Sequence, residues 1–297
     1  MDIIVCVKPV PDVNIISLTE QGETLIDNDD LVYVVNPADL VAVEEAIRIK
    51  EQARGGKVLI VSMSPASHER LLQKCLALGA DEAMRIWDRR FESADSHTTG
   101  MILAKAIAAQ PYDLILSGHR AADTDDGQVG YNIAARLDIP IISSVTGIRV
   151  AYQNRTAIVE KKLPKGYRER LEVALPAFFA VEESLNEPRY ANLPDLMDGL
   201  RKKIKHCNMK DLGLSSKTAG AAACKKRRVG VSTPKPRPKK IFTPDSSLSA
   251  AERMELIMSG GVVEKNSELF EGSPETLSVK FVDFLQQLNI DWGNEEM

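Results

Sequence analysis

The feature that most constrains this chain is an alternation of two hydrophobic periods over its first 140 residues. Short, nearly continuous apolar runs recur at Ile3–Val7, Val58–Val61, Ala83–Trp87 and Leu114–Leu116. A run of that kind, with no polar face, fits a strand buried on both sides. Between the runs, apolar residues fall at helical spacing. From Asp39 onward, Val43, Ala46, Ile47 and Ile49 point inward and Glu44, Glu45 and Lys50 outward, until Gly55-Gly56 ends the pattern. A second helix from about Ser67 carries Leu71, Leu72, Cys75 and Leu76 and closes at Gly79. Asp95 is placed to cap a third, and Ile133, Ala134 and Leu137 lie on a fourth that Pro140 stops. Strands alternating with helices across short connections predict parallel pairing and right-handed crossovers. The expected fold is α/β, with a doubly wound, Rossmann-like sheet. Neither the G-x-G-x-x-G fingerprint nor the P-loop pattern occurs, so any nucleotide must be held another way.

Beyond residue 140 the pattern changes. Ile141–Val150, Thr156–Lys162 and Arg170–Val181 read as strands, joined by Gln153-Asn154 and Lys165-Gly166 turns. Leu185–Leu196 reads as a Pro-punctuated loop and Met197–Ile204 as a short helix or basic turn. Charge then becomes lopsided. Residues 201–240 hold 14 Lys/Arg against one acid, Asp211, while the remainder holds 24 bases and 41 acids. A basic arm on an acidic body suggests interaction through the arm. It lacks the interleaved aromatics that stack bases, so it is read as a linker that packs on an acidic neighbour rather than on nucleic acid. Thr233–Lys240 is Pro-rich and should be extended. Asp245 or Ser249 starts a small helix and Gly260-Gly261 breaks it. A terminal amphipathic helix begins at Ser273-Pro274-Glu275, with Leu277, Phe281, Phe284 and Leu285 on one face. Either it grips another subunit or it folds back on its own sheet.

With 297 residues the chain is long enough to bury about 75% of its unfolded surface without staples. No stretch approaches the ~18 apolar residues of a membrane span. Cys6, Cys75, Cys207 and Cys224 show no metal-like spacing and read as unpaired thiols of a reducing compartment. A strand begins at Ile3, leaving no room ahead of it for a leader, so the expected location is cytoplasmic.

The densest polar segment, Ser117–Gly130, lies at the carboxyl end of the fourth strand and the start of the next helix, where open α/β sheets bind ligands. Gly118 and Gly127 permit close backbone approach, and helix N–H groups near Gln128 and Val129 favour an anion. Asp123, Asp125 and Asp126 argue against a bare phosphate pocket; they could hold Mg²⁺ or ribose hydroxyls, or cap the helix. Asn36-Pro37 before the first helix is a similar, weaker signal. His119 is of a residue type that can act as an acid or base, but it has no Ser or Cys nucleophile beside it in sequence. The absence of a catalytic constellation favours a carrier or binding subunit over a self-sufficient enzyme.

Six ordered motifs together carry a resemblance. They are Val5–Asp12, Asn36-Pro37, Ala42–Lys50, Ala77–Ala83, Gly118–Gly130 and Leu185–Pro194. From residue 1 to about Leu214, and more loosely through the tail, the chain resembles the β (small) subunits of electron-transfer flavoproteins. The resemblance implies a heterodimer with an α subunit and one FAD held mainly by that α subunit. Electrons would come from acyl-CoA dehydrogenase-type donors, as in fatty acid β-oxidation, and pass to a quinone oxidoreductase or another acceptor. It also implies a Rossmann-like variant similar to the adenine-nucleotide alpha-hydrolases, holding a structural AMP or, in electron-bifurcating relatives, a second FAD. Matched by motif, the cofactor-binding residues would be Cys6, Asn36, Pro37, Ala38, Asp39, Met63, Gly118, His119, Arg120, Ala121, Ala122, Asp123, Thr124, Asp125, Asp126, Gly127, Gln128 and Val129. Residues 185–194 resemble the family's recognition loop, with Leu193, Tyr190 and Pro194 docking on the dehydrogenase and the Arg201–Lys205 cluster steering acidic partners. Bifurcating relatives tend to read Asp-Gly-Asp-Thr-Ala-Gln-Val-Gly-Pro where this chain has Asp123–Tyr131, a departure that favours AMP. The implied organisation is a nucleotide-binding α/β domain over 1–200, a basic, Pro-rich linker over 201–240, and an arm over 241–297 that embraces the α subunit.

Overall fold

The computed structural model describes residues 1–12, 31–226, 229, 244–245, 247–258 and 272–287. The chain divides into two units, Met1–Thr233 and Pro234–Met297. In the first unit β1 (Ile3–Cys6), β2 (Pro9–Pro11) and β3 (Tyr33–Val35) lead into α1 (Pro37–Ala53) and β4 (Val58–Met63). There follow α2 (Glu69–Leu78), β5 (Glu82–Ile86), α3 (Ser96–Ile107), β6 (Leu114–Gly118) and α4 (Val129–Leu137). The second half contains β7 (Ile141–Ala151), β8 (Thr156–Lys162), β9 (Arg168–Ala174), β10 (Ala177–Val181), α5 (Leu193–Arg201), β11 (Lys205–Cys207) and α6 (Ser216–Ala219).

Nine strands form one sheet in the order β11-β5-β4-β1-β6-β10-β7-β8-β9. Pairing is parallel from β11 to β7 and antiparallel across β7-β8-β9. The α/β, doubly wound reading of the sequence therefore holds. Alternate residues of β1 feed two cores. Ile3 and Val5 join Ile47, Ile60, Leu72 and Phe179 on one face. Ile4 and Cys6 join Met84, Phe91, Ile102 and Phe178 on the other. After β1 the chain builds outward through β4 and β5, then returns to β6 on β1's other side. That reversal leaves a crevice beyond the carboxyl ends of β1 and β6.

Four expectations need correction. Arg170–Val181 is not one strand but two, divided at Pro176, which has no N–H to give to a ladder. Its second half, β10, is buried throughout and pairs with β6 and β7 in the middle of the sheet. The loop read over Leu185–Leu196 ends early, because Asn192 caps α5 through the Asp195 N–H and Pro194 suits its first turn. The basic segment does not leave the fold at Arg201. Lys205–Cys207 pairs with β5, and Met209, Leu212 and Ala219 are buried, apolar positions that the charge count conceals. Finally, Glu44 and Glu45 do not face water but are buried.

The second unit contains α7 (Ala250–Met258) and α8 (Pro274–Gln287). On α8, Phe281 and Phe284 are exposed and Leu277 is half-buried. The Leu285 side chain, the Pro-rich stretch Pro234–Lys240 and Gly260-Gly261 lie outside the described residues. No helix among the described residues is long and apolar enough to cross a membrane.

Candidate functional site

The crevice is held together by two buried polar side chains at the start of α1. Asp39 accepts the Lys8 N–H at 2.8 Å, just past β1, and the Gly118 N–H at 2.7 Å, at the end of β6. Asn36 donates to the Arg120 carbonyl at 2.9 Å and accepts the Ala122 N–H at 3.0 Å. One helix terminus thereby fixes two strand ends and the loop after β6. Burial pushes the Asp39 carboxyl up to about 6, although the Lys8 and Gly118 N–H groups and the Asn36 side chain pull the other way. The close approach requires a glycine at 118. A Cβ there would lie 2.6 Å from the Ala38 Cβ and 2.7 Å from an Asp39 oxygen. Gly127 has φ +59°, the left-handed region in which other residues are strained.

Between these elements lies a cleft of about 520 Å³. Cys6, Asn36, Asp39, Met63, Gly118, His119, Arg120, Ala121, Thr124, Asp126, Gly127, Gln128 and Val129 all line it. Of the other residues assigned by motif, Pro37 and Ala38 sit on α1 and Ala122, Asp123 and Asp125 in the loop, outside the lining. Val129 and Gly130 begin α4, and the first N–H groups of a helix have no partner within it. Their direction suits an anion. Cys6 is buried, and burial followed by the Asp39 charge pushes its thiol up, so it serves as a small apolar wall.

The three loop carboxylates do not converge. Asp123 pairs with Lys8 at 2.6 Å, Asp125 with Arg120 at 3.1 Å, and Asp126 with Lys226. Each is matched by its own base, so the acids present no bare negative wall to a phosphate. No group of three metal-ligating side chains occurs among the described residues. His119 faces Glu182 at 3.7 Å, and its Nδ1 is buried without a hydrogen-bond partner among the described residues. Sequence reasoning missed Trp87, Phe91 and Leu103, which give the cleft an apolar wall, and Asp95 and Lys226, which meet at its mouth. The Asp95 cap was visible; its second role depends on residues 130 positions later.

A second surface lies on the outer side of α1. Arg189 donates to Glu44 at 2.8 and 3.2 Å and to Glu51 at 2.7 and 3.2 Å. Arg48 also bonds Glu44 and reaches the Glu187 carbonyl, and Asn186 donates to Glu45 at 2.9 Å. The loop covers the two glutamates, which explains their burial. Burial would raise the Glu44 carboxyl, yet its bonds to Arg189 and Arg48 hold it below its ordinary value. Beyond the clamp, Tyr190 is 98% exposed and Leu193 69% exposed. Pro194 is exposed as well.

Comparison with known proteins matches residues 24–212 to the family model described as "Electron transfer flavoprotein domain". The "Electron transfer flavoprotein subunit beta" of Thermoanaerobacterium thermosaccharolyticum is 36% identical over 265 residues, 89% of this chain and 100% of that protein. The "Caffeyl-CoA reductase-Etf complex subunit CarD" of Acetobacterium woodii is 37% identical over 224 residues, 75% of this chain and 84% of that protein. "Protein FixA" of Azotobacter vinelandii is 34% identical over 209 residues, 69% of this chain and 74% of that protein.

Proposed function

Since this chain belongs to the electron transfer flavoprotein family, and within it to the β-subunit type, we propose that it is the small subunit of a two-chain electron carrier that holds AMP in the cleft between β1 and β6. The observation that carries this reading is the paired stitch of Asn36 and Asp39. It brings backbone of α1, β1 and the 118–130 loop together around a glycine-floored cleft at the switch point of the sheet. The residues present fit an adenylate. Backbone groups near Asn36 and Arg120 offer pairing to a base, the Met63–Phe91 side offers apolar contact, and the start of α4 with Lys226 suits a phosphate. The orphaned His119 Nδ1 adds a polar atom that a ligand or water would satisfy.

FAD, bound mainly by the partner α subunit, supplies the redox chemistry. This chain's residues bind and orient. The cleft keeps the nucleotide as a structural element, and the clamped loop presents Leu193, Tyr190 and Pro194 to an acyl-CoA dehydrogenase-type donor. Arg201, Lys202, Lys203 and Lys205 favour encounter with acidic partners. A quinone oxidoreductase or another acceptor takes the electrons on. The exposed apolar side chains of α8 are assigned to the α subunit, because surface aromatics left in water are ordinarily covered in an assembly.

Co-expression with its α subunit tests the reading. The two chains should co-purify as a yellow pair whose flavin is reduced by an acyl-CoA dehydrogenase and its substrate. A chain that remains alone and colourless in the presence of α would contradict it.

A further inference from the structure

Residues 224–226 form a short strap along the mouth of the cleft. The N–H groups of Lys225 and Lys226 both donate to one oxygen of Asp95, at 2.6 and 2.9 Å. The other oxygen of Asp95 accepts the Thr98 N–H at 2.8 Å and caps α3. Cys224 Sγ reaches the Ser93 carbonyl at 3.2 Å. One carboxylate thus ties the strap to a helix already packed in the core. Burial would raise the Asp95 carboxyl, but the N–H donors of Thr98, Lys226 and Lys225 hold it at about 2, so the tie persists across the physiological range.

The strap sets the position of Lys226, whose ammonium pairs with Asp126, 100 residues earlier in sequence. Asp126 directly precedes Gly127 and Gln128, at the entrance to α4. Among the described residues, three Lys and Arg side chains line the cleft: Lys8, Arg120 and Lys226. Lys8 and Arg120 are pinned to Asp123 and Asp125, which stand outside the lining. Lys226 is paired to an acid that is itself in the lining, so both partners of this ion pair face the cleft. An ammonium has three donors, and Asp126 uses one.

Resting on the reading of the cleft as a nucleotide site, we propose that Lys226 is a specificity-determining residue that selects the phosphorylated form of the nucleotide, held over the phosphate end by the 224–226 strap. Asp126 orients the ammonium, and its remaining N–H groups meet phosphate oxygens. The outer wall of the site is therefore supplied by a segment that follows β11, not by the strand–helix units that build the rest.

The experiment uses the co-purified pair, stripped of nucleotide, and measures binding of AMP and of adenosine by calorimetry. The wild-type pair should prefer AMP. Lys226→Gln should weaken AMP roughly tenfold, the scale of a lost charge-assisted hydrogen bond, while adenosine affinity stays unchanged. Lys226→Arg should restore most of the preference. Asp95→Ala, which unties the strap, should speed AMP release. A Lys226→Gln pair that keeps the full preference for AMP, or that loses AMP and adenosine equally, would overturn the proposal. A wild-type pair that binds neither ligand would instead contradict the nucleotide reading of the cleft.

Discussion

Two regions flank α1 and are built in opposite ways. On its N-terminal side, Asn36 and Asp39 are 2% and 4% exposed and bond almost entirely to backbone. On its outer side, Arg189, Arg48 and Asn186 bond side chains that rim a loop, and the loop's apolar tips stay in water. Backbone-directed bonds in a dry site fix a cavity and punish any change of shape. Ion pairs whose arginines stay partly in water hold a loop in place at modest net gain, which suits weak and repeated docking. On the proposed reading, the contrast separates a site for keeping a ligand from one for brief encounters.

Breaking the first region should have the largest effect. Gly118→Val places side-chain atoms against Ala38 and Asp39. Nucleotide content of the purified pair should fall close to zero, as read by absorbance of the heat-released fraction. Asp39→Asn keeps the shape but turns one acceptor into a donor facing an N–H. It should cost about 1–3 kcal/mol in urea unfolding. The pH dependence should change too. Burial holds the folded carboxyl near 6, above its ordinary value of 3.8. Between about pH 4 and 6 the folded state keeps a proton that the unfolded chain has lost, so this group's contribution to stability falls as pH rises through that window. The Asn variant should lack that part of the slope.

Changes in the second region should leave nucleotide content untouched. Leu193→Ala should lower kcat/KM for reduction by the donor dehydrogenase by roughly tenfold, the scale of a buried interface anchor, with Tm unchanged. Arg189→Ala should be milder. Glu44 retains Arg48, and the Arg189 side chain is 36% exposed, so about 1 kcal/mol of stability is at stake. Its signature should be a raised KM for the dehydrogenase at constant kcat. Nucleotide loss in either variant would erase the distinction between the regions.

What the sequence revealed follows the range of each signal. Ile3–Val7 and Leu114–Leu116 declare buried strands within a few residues, and Ser117–Gly130 declares a polar, glycine-bearing loop at a strand end. Most of the residues assigned to the cleft by motif do line one cavity. Glu44 and Glu45 were misread because helical periodicity sees only the helix itself. The side chains that bury them arrive from residues 186–189, 141 and 145 positions away. Lys226 was hidden for the same reason, as one of many bases in a segment read as linker. Pro176 was a local clue to the break before β10, but nothing local says that the next five residues enter the middle of the sheet. The three ion pairs that neutralise Asp123, Asp125 and Asp126 needed coordinates, because two of their bases lie 115 and 100 residues from their acids.

The central claim is that the crevice beyond β1 and β6 is an adenine-nucleotide site in a flavin-bearing pair. Mass identification of the molecules released by heat from the purified two-chain protein tests it most directly. The account predicts one AMP and one FAD for each pair. Two FAD molecules would replace the AMP assignment with a flavin in this chain, and FAD alone, one per pair, would contradict the claim.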